Sequence, residues 1–157
     1  MILRTRRLRP ALASVLFVLA ACGGGSGAGA PVTGPRLEIE TSGGPVLVRV
    51  ELADTEEKRQ RGLMGRESLD EDAGMVFLHE QPTTGAFWMK DTLIPLSIAF
   101  WDERGEILAI LDMEPCEEDP CEIYDPGVTW IGAVEVNQGF FGERGVEVGD
   151  TAELIEA

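Results

Sequence analysis

The segment Phe87-Trp88-Met89-Lys90-Asp91-Thr92 places a lysine and an aspartate inside an otherwise apolar stretch. Charge in such surroundings is costly unless it is paired. If the segment is extended, Trp88, Lys90 and Thr92 share one face and Phe87, Met89 and Asp91 the other. Lys90 and Asp91 then cannot neutralise each other, and each needs another partner. Glu135 and Asn137, two residues apart in a later strand-like run, and Arg61, at the end of a short helix-like run, are the polar residues best placed to supply one. Such a cluster suits a small polar or anionic ligand, with Lys90 supplying charge, Asn137 hydrogen bonds and Trp88 a flat apolar wall. The plain structural alternative is a lysine snorkelling at a sheet edge and an aspartate capping a turn before Thr92. A desolvated lysine is also a nucleophile, so a hydrolase or transferase built on Lys90, Asp91 and Glu135 is the second class of function to weigh.

Other reactive side chains point elsewhere. His79 is the only histidine, and no G-x-S-x-G elbow accompanies it. Met64, Met75, Met89 and Met113 each sit in an apolar pattern, which suits packing better than soft-metal binding. The run Glu117-Glu118-Asp119 lacks the alternation and glycine turn of a calcium loop. No metal and no cofactor is expected.

The chain has 157 residues, with 13 Lys and Arg against 28 Asp and Glu, a formal charge of −15. That balance disfavours nucleic acid as a partner, because phosphate-backbone binding rests on basic side chains displacing counterions. Arg4, Arg6, Arg7 and Arg9 precede a short apolar run from Ala11 to Ala21, the layout of a signal peptide. Leu19-Ala20-Ala21-Cys22 resembles a bacterial lipobox, so residues 1–21 are read as a leader and Cys22 as the lipidated residue. Residues 22–35 then form a Gly, Ala and Pro-rich tether, and 36–157 a single domain anchored to a membrane leaflet by lipid. Removing residues 1–21 leaves 9 bases against all 28 acids, a net charge of −19. An exported lipoprotein facing the periplasm or cell surface is the expected localisation.

With Cys22 assigned to lipid, Cys116 and Cys121 remain, an even pair in an oxidising compartment and therefore a disulfide. The three acids between them oppose the thiolate that redox work needs. The bridged loop, with Tyr124 beside it, offers the third class of function, a surface that meets a protein partner of unknown identity.

The elements that must position these residues follow from periodicity. Leu37 and Ile39, then Val46, Val48, Val50 and Leu52, alternate across Ser42-Gly43-Gly44 as an opening hairpin. A short helix is expected from an Asp54 cap to a Gly62 stop. Strands follow over 74–78 and 86–89, then a hairpin of 94–101 with 106–113 about Asp102-Glu103-Arg104-Gly105. A strand over 128–136, a helical turn near 138–143 and a closing strand over 151–155 complete the chain. The pattern predicts an α+β domain, mostly antiparallel or mixed sheet and barrel-like, with one or two short helices.

Arg61-Gly62-Leu63-Met64, Gly74-Met75-Val76-Phe77, Phe87-Trp88-Met89-Lys90-Asp91-Thr92-Leu93-Ile94-Pro95-Leu96, the Pro-Cys to Asp-Pro-Cys loop and Glu135-Val136-Asn137-Gln138-Gly139 occur in this order. Together they resemble the domain of unknown function 192 family over about residues 45–155. The resemblance implies an exported or lipid-anchored single domain of compact, mostly β structure, and brings no established activity. Asp91 stands where the family pattern has Asn, and Ser97 where it has Asp. A family site using those side chains would carry a different charge distribution in this chain.

Overall fold

The computed structural model describes residues 34–155. The leader, Cys22 and most of the Gly-rich tether lie outside them. Nine strands and two short helices make an α+β domain. The strands are β1 (Arg36–Thr41), β2 (Gly44–Ala53), β3 (Ala73–Thr83), β4 (Phe87–Trp88), β5 (Leu96–Trp101), β6 (Ile107–Met113), β7 (Ile123–Tyr124), β8 (Trp130–Asn137) and β9 (Thr151–Ile155). The helices are α1 (Glu56–Arg61) and α2 (Phe140–Arg144).

Seven strands form one mixed sheet in the order β6-β5-β8-β3-β2-β1-β9, and β4 pairs with β7 separately. All neighbours in the large sheet are antiparallel except β2 and β3. The sheet curls until its two edges touch. The Ile107 N–H donates to the Asp150 carbonyl at 2.8 Å, and the Ala152 N–H to the Gly105 carbonyl at 2.8 Å. This meeting covers edge groups that would otherwise invite another chain.

Curling divides the apolar residues into two clusters. Leu37, Val48, Val50, Val76, Val134 and Val136 lie on the inner face and pack against Phe140 and Phe141 of α2. The opposite face carries Met75, Phe77, Ile98, Phe100, Trp130 and Ala133, covered by Leu63 and Met89 from the connecting segments. The strand alternation read from sequence is therefore real, but both faces of the central strands are buried.

Three local expectations are corrected. The helix cap is Thr55, whose hydroxyl accepts from the Lys58 N–H, and not Asp54, whose carboxylate pairs with the Lys58 ammonium at 2.7 Å. The strand expected to stop at residue 78 runs to Thr83, with a register shift after Leu78. The segment after Trp88 is not extended: Lys90 and Asp91 form a turn closed by the Thr92 N–H on the Met89 carbonyl at 3.1 Å. Asp91 has φ +54, a left-handed conformation in which Asn and Asp are the best tolerated residues after Gly.

Gly132 of β8 lets the sheet close over Trp101, because a Cβ there would lie 2.2 Å from the indole Cε2. The Trp101 ring belongs to the packed inner cluster and must shift to admit a methyl group. Gly132→Ala should therefore destabilise the domain by about 1–3 kcal/mol. Urea denaturation of the two proteins measures this directly.

Candidate functional site

The residues nominated from sequence fall into three groups. Trp88, Lys90, Asp91 and Thr92 stay together at the end of β4 and in the segment that turns after it. The Lys90 ammonium lies 5.7 Å from the centre of the exposed Trp88 ring, a cation–π contact. Thr92 is buried and its hydroxyl donates to the Lys90 carbonyl at 3.4 Å. Lys90 and Asp91 border a depression of about 120 Å³ whose other wall is the loop closed by the Cys116–Cys121 disulfide. Among the described residues Cys116, Asp119 and Cys121 are the one grouping of three metal-ligand side chains, and its two sulfurs are bonded to each other.

Asn137 has a separate place. Its amide Nδ2 donates to the Leu69 carbonyl at 3.1 Å and to the Asp70 carbonyl at 3.0 Å, pinning the segment that leads into β3. Ser97, the other departure from the family pattern, is buried on β5. Its hydroxyl donates to Asp112 and accepts from the Gly139 N–H at 2.9 Å. An aspartate at 97 would face the Asp112 carboxylate, so serine at that position suits this chain's own neighbour.

Glu135 and Arg61 form the third group. On β8, Val134 and Val136 point to the inner cluster, which turns Glu135 to the opposite face, opposite Met75 of β3 and Ile98 of β5. That face is covered, and Glu135 is 5 % exposed. Burial alone raises its pKa from 4.5 to about 8, so the carboxyl holds its proton at neutral pH. Neither Lys90 nor any other cation contributes to that shift.

Gly62, the residue after Arg61, lies over this carboxyl. It ends α1 with φ +48, and a Cβ built there would come 3.9 Å from the Glu135 Oε2 and 3.4 Å from the Phe77 ring. Gly62 and Met75 are also shared with a groove of about 650 Å³ that runs between α1, β2 and the segment after Gly62. Leu52, Met64 and Met75 line it with apolar surface, and Lys58, Arg61 and Arg66 supply three of the nine bases outside the leader. Lys58 is paired with Asp54 and Arg66 with Glu51, whereas Arg61 makes no ion pair among the described residues. Gly34 and Pro35, where the tether joins the domain, line an adjoining hollow of about 330 Å³, and Pro35 lines the groove as well.

Met64, Met75, Lys58 and Arg66 were not singled out as site residues by sequence reasoning. The methionines read as core, Lys58 only as part of the short helix, and Arg66 was given no role. A usable signal was the concentration of bases between residues 58 and 66 in a strongly acidic chain. His79 sits beside a smaller hollow with its ring 5.0 Å from Trp130, and burial followed by the nearby Arg59 lowers its pKa. It is therefore neutral near pH 7.

The described residues form one curled-sheet domain with an open groove beside a buried acid. The chain belongs to the DUF192 family, an uncharacterized ACR, whose model matches residues 37–154. It is similar to a protein of unknown function from Novosphingobium aromaticivorans, with 28% identity and a TM-score of 0.70 over 80% of this chain and 94% of that one. It is similar also to a candidate transcription regulator from Sinorhizobium meliloti, with 30% identity and a TM-score of 0.71 over 79% of this chain and 97% of that one. No curated protein matches it. Among the described residues no helix is long and apolar enough to cross a membrane.

The Glu135 proton has a measurable consequence for stability. In the unfolded chain a glutamate loses its proton near 4.5, whereas folded Glu135 keeps it to about 8. Between those values the folded state binds the extra proton, so stability falls as pH rises through that window. Below it the penalty is absent, and above it the penalty is complete. Glu135→Gln removes the titration while keeping the shape. Its stability relative to wild type should improve by about 2 kcal/mol or more between pH 5 and pH 8.5. Urea denaturation at the two pH values gives the comparison, and a constant difference would contradict this assignment.

Proposed function

We propose that this protein is a lipid-anchored, envelope-facing module that binds a small amphipathic anion in the groove between α1 and β2. The observation that carries the reading is the composition of the groove. An apolar lining of Leu52, Met64 and Met75 is rimmed by Lys58, Arg61 and Arg66 in a chain of net charge −15. Its volume of about 650 Å³ lies in the ordinary range for a small-molecule site. Glu51 and Asp54 line the same groove, so among its charged residues the bases exceed the acids by one. Arg61 is the base with a free charge for the ligand, while Lys58 and Arg66 already answer Asp54 and Glu51.

The anchor rests on the leader and the Cys22 lipobox. Attachment through a tether that enters the domain beside the groove, at Gly34 and Pro35, would hold the groove near a membrane leaflet, where amphipathic molecules concentrate. The Lys90 turn and the disulfide loop then form a separate surface, available to a protein partner without obstructing the groove.

Two experiments test this reading. Octanoate, used below its micelle concentration, should stabilise the purified full chain saturably in a thermal-shift assay. Arg61→Ala should weaken that binding about tenfold, the loss of roughly 1.4 kcal/mol from one partly exposed charge pair. Saturable binding that ignores Arg61 would place the ligand elsewhere. Separately, Cys22→Ser should move the protein from the membrane fraction to the soluble fraction in a bacterial host. Unchanged membrane association would contradict the anchor.

A further inference from the structure

Of the large apolar side chains left exposed among the described residues, Trp88 and Ile123 are the two that face each other across a strand pair, whereas Leu47 and Ile155 stand opposite Glu38 and Arg36. Trp88 is 49 % exposed and Ile123 60 %. Directly opposed residues of an antiparallel pair project to the same side, so the two make one apolar patch on the outer face of the β4 and β7 ribbon. The inner face carries Phe87 and Tyr124, which pack on the core. The Tyr124 hydroxyl oxygen also accepts from the Glu114 N–H at 3.0 Å, and the Cys116–Cys121 disulfide closes the loop between them. The patch is thus held in place before anything binds it, which lowers the ordering cost of an interface.

Acids surround the patch. Residues 114–125 contain Glu114, Glu117, Glu118, Asp119, Glu122 and Asp125 and no base, and none of the six forms an ion pair among the described residues. Lys90 joins the acidic and apolar parts. Its ammonium lies 5.7 Å from the centre of the Trp88 ring, and it is the one base lining the depression walled by Glu117, Glu118 and Asp119. We propose that the outer face of the β4 and β7 ribbon docks a basic protein segment, with an apolar side chain seated on Trp88 and Ile123 and flanking Lys or Arg residues meeting the acids of the disulfide loop. Tryptophan is among the residue types that contribute most to protein interfaces, and the uncompensated acids steer a cationic partner and fix its register. An exposed Trp and Ile also suit a lipid surface, but these acids would be driven against the headgroup phosphates. The surface is separate from the groove between α1 and β2, and the inference does not rest on that groove.

The test titrates the purified full chain, carrying Cys22→Ser so that no lipid contributes, into two labelled peptides of equal charge, one alternating Lys with Leu and the other Lys with Ser. Fluorescence anisotropy reads the affinity. The Leu peptide should bind about tenfold more tightly than the Ser peptide. Trp88→Ser and Ile123→Ser, both at exposed positions, should each remove most of that advantage while leaving the Ser peptide, which meets charge alone, within about twofold of its starting affinity. Glu117→Gln combined with Glu118→Gln should weaken both peptides. Equal affinity of the two peptides, or a Leu advantage that survives both serine substitutions, overturns the inference. Binding to phosphatidylcholine vesicles that Trp88→Ser abolishes, with no preference for the Leu peptide, overturns it in favour of a lipid surface. Octanoate binding through Arg61 should be the same with and without Trp88→Ser, so the groove reading stands or falls separately.

Discussion

Burial of β8 on both faces is the constraint on which the rest of this structure depends. The sheet curls until β6 and β9 meet, which sends Val134 and Val136 inward. The connecting segments that carry Leu63 and Met89 then cover the other face. In an open antiparallel sheet the residues between those valines would stand in water, and a glutamate among them would be unremarkable. Here the same alternation removes Glu135 from solvent. Its proton is retained because the covering residues offer neither charge nor hydrogen bond.

The parallel contact between β2 and β3 creates the groove. A parallel neighbour needs a crossover, and this one contains α1, the Gly62 stop and the segment that Asn137 pins at Leu69 and Asp70. The crossover leaves the sheet far enough to form the groove, and its helix carries Lys58 and Arg61 to the rim. Gly62 has two roles at once. Its positive φ turns the chain out of α1, and its backbone packs over the Phe77 ring close to the Glu135 carboxyl. The disulfide loop and the Lys90 turn lie against each other elsewhere, joined by the short β4 and β7 pair.

Much of this architecture was legible in the sequence. The β5 and β6 hairpin is marked by alternation either side of Asp102-Glu103-Arg104-Gly105, and α1 by its charged run and the glycine that ends it. The α+β class and the family resemblance were both readable, and the family model spans residues 37–154. The parallel pairing of β2 with β3 was not readable, since strand direction depends on where a crossover returns and not on local pattern. A turn before Thr92 was one of two readings of Lys90 and Asp91, and with neither glycine nor proline present and the left-handed φ on an aspartate, nothing local decided between it and an extended segment. The nominated cluster shows the same limit. Glu135 and Asn137 were recognisable as polar residues in an apolar strand, but spacing cannot say that one pins a loop while the other lies unpaired under a glycine.

The central claim is that Glu135 is an unpaired, protonated carboxyl in the folded protein at neutral pH. Direct titration of its side-chain carbonyl carbon by NMR, assigned through its absence in Glu135→Gln, tests that claim without any ligand. A midpoint near 8 is the predicted result. A midpoint near 4.5, the value of an ordinary glutamate, would mean that water or a charge reaches the group. It would contradict the burial that the account depends on.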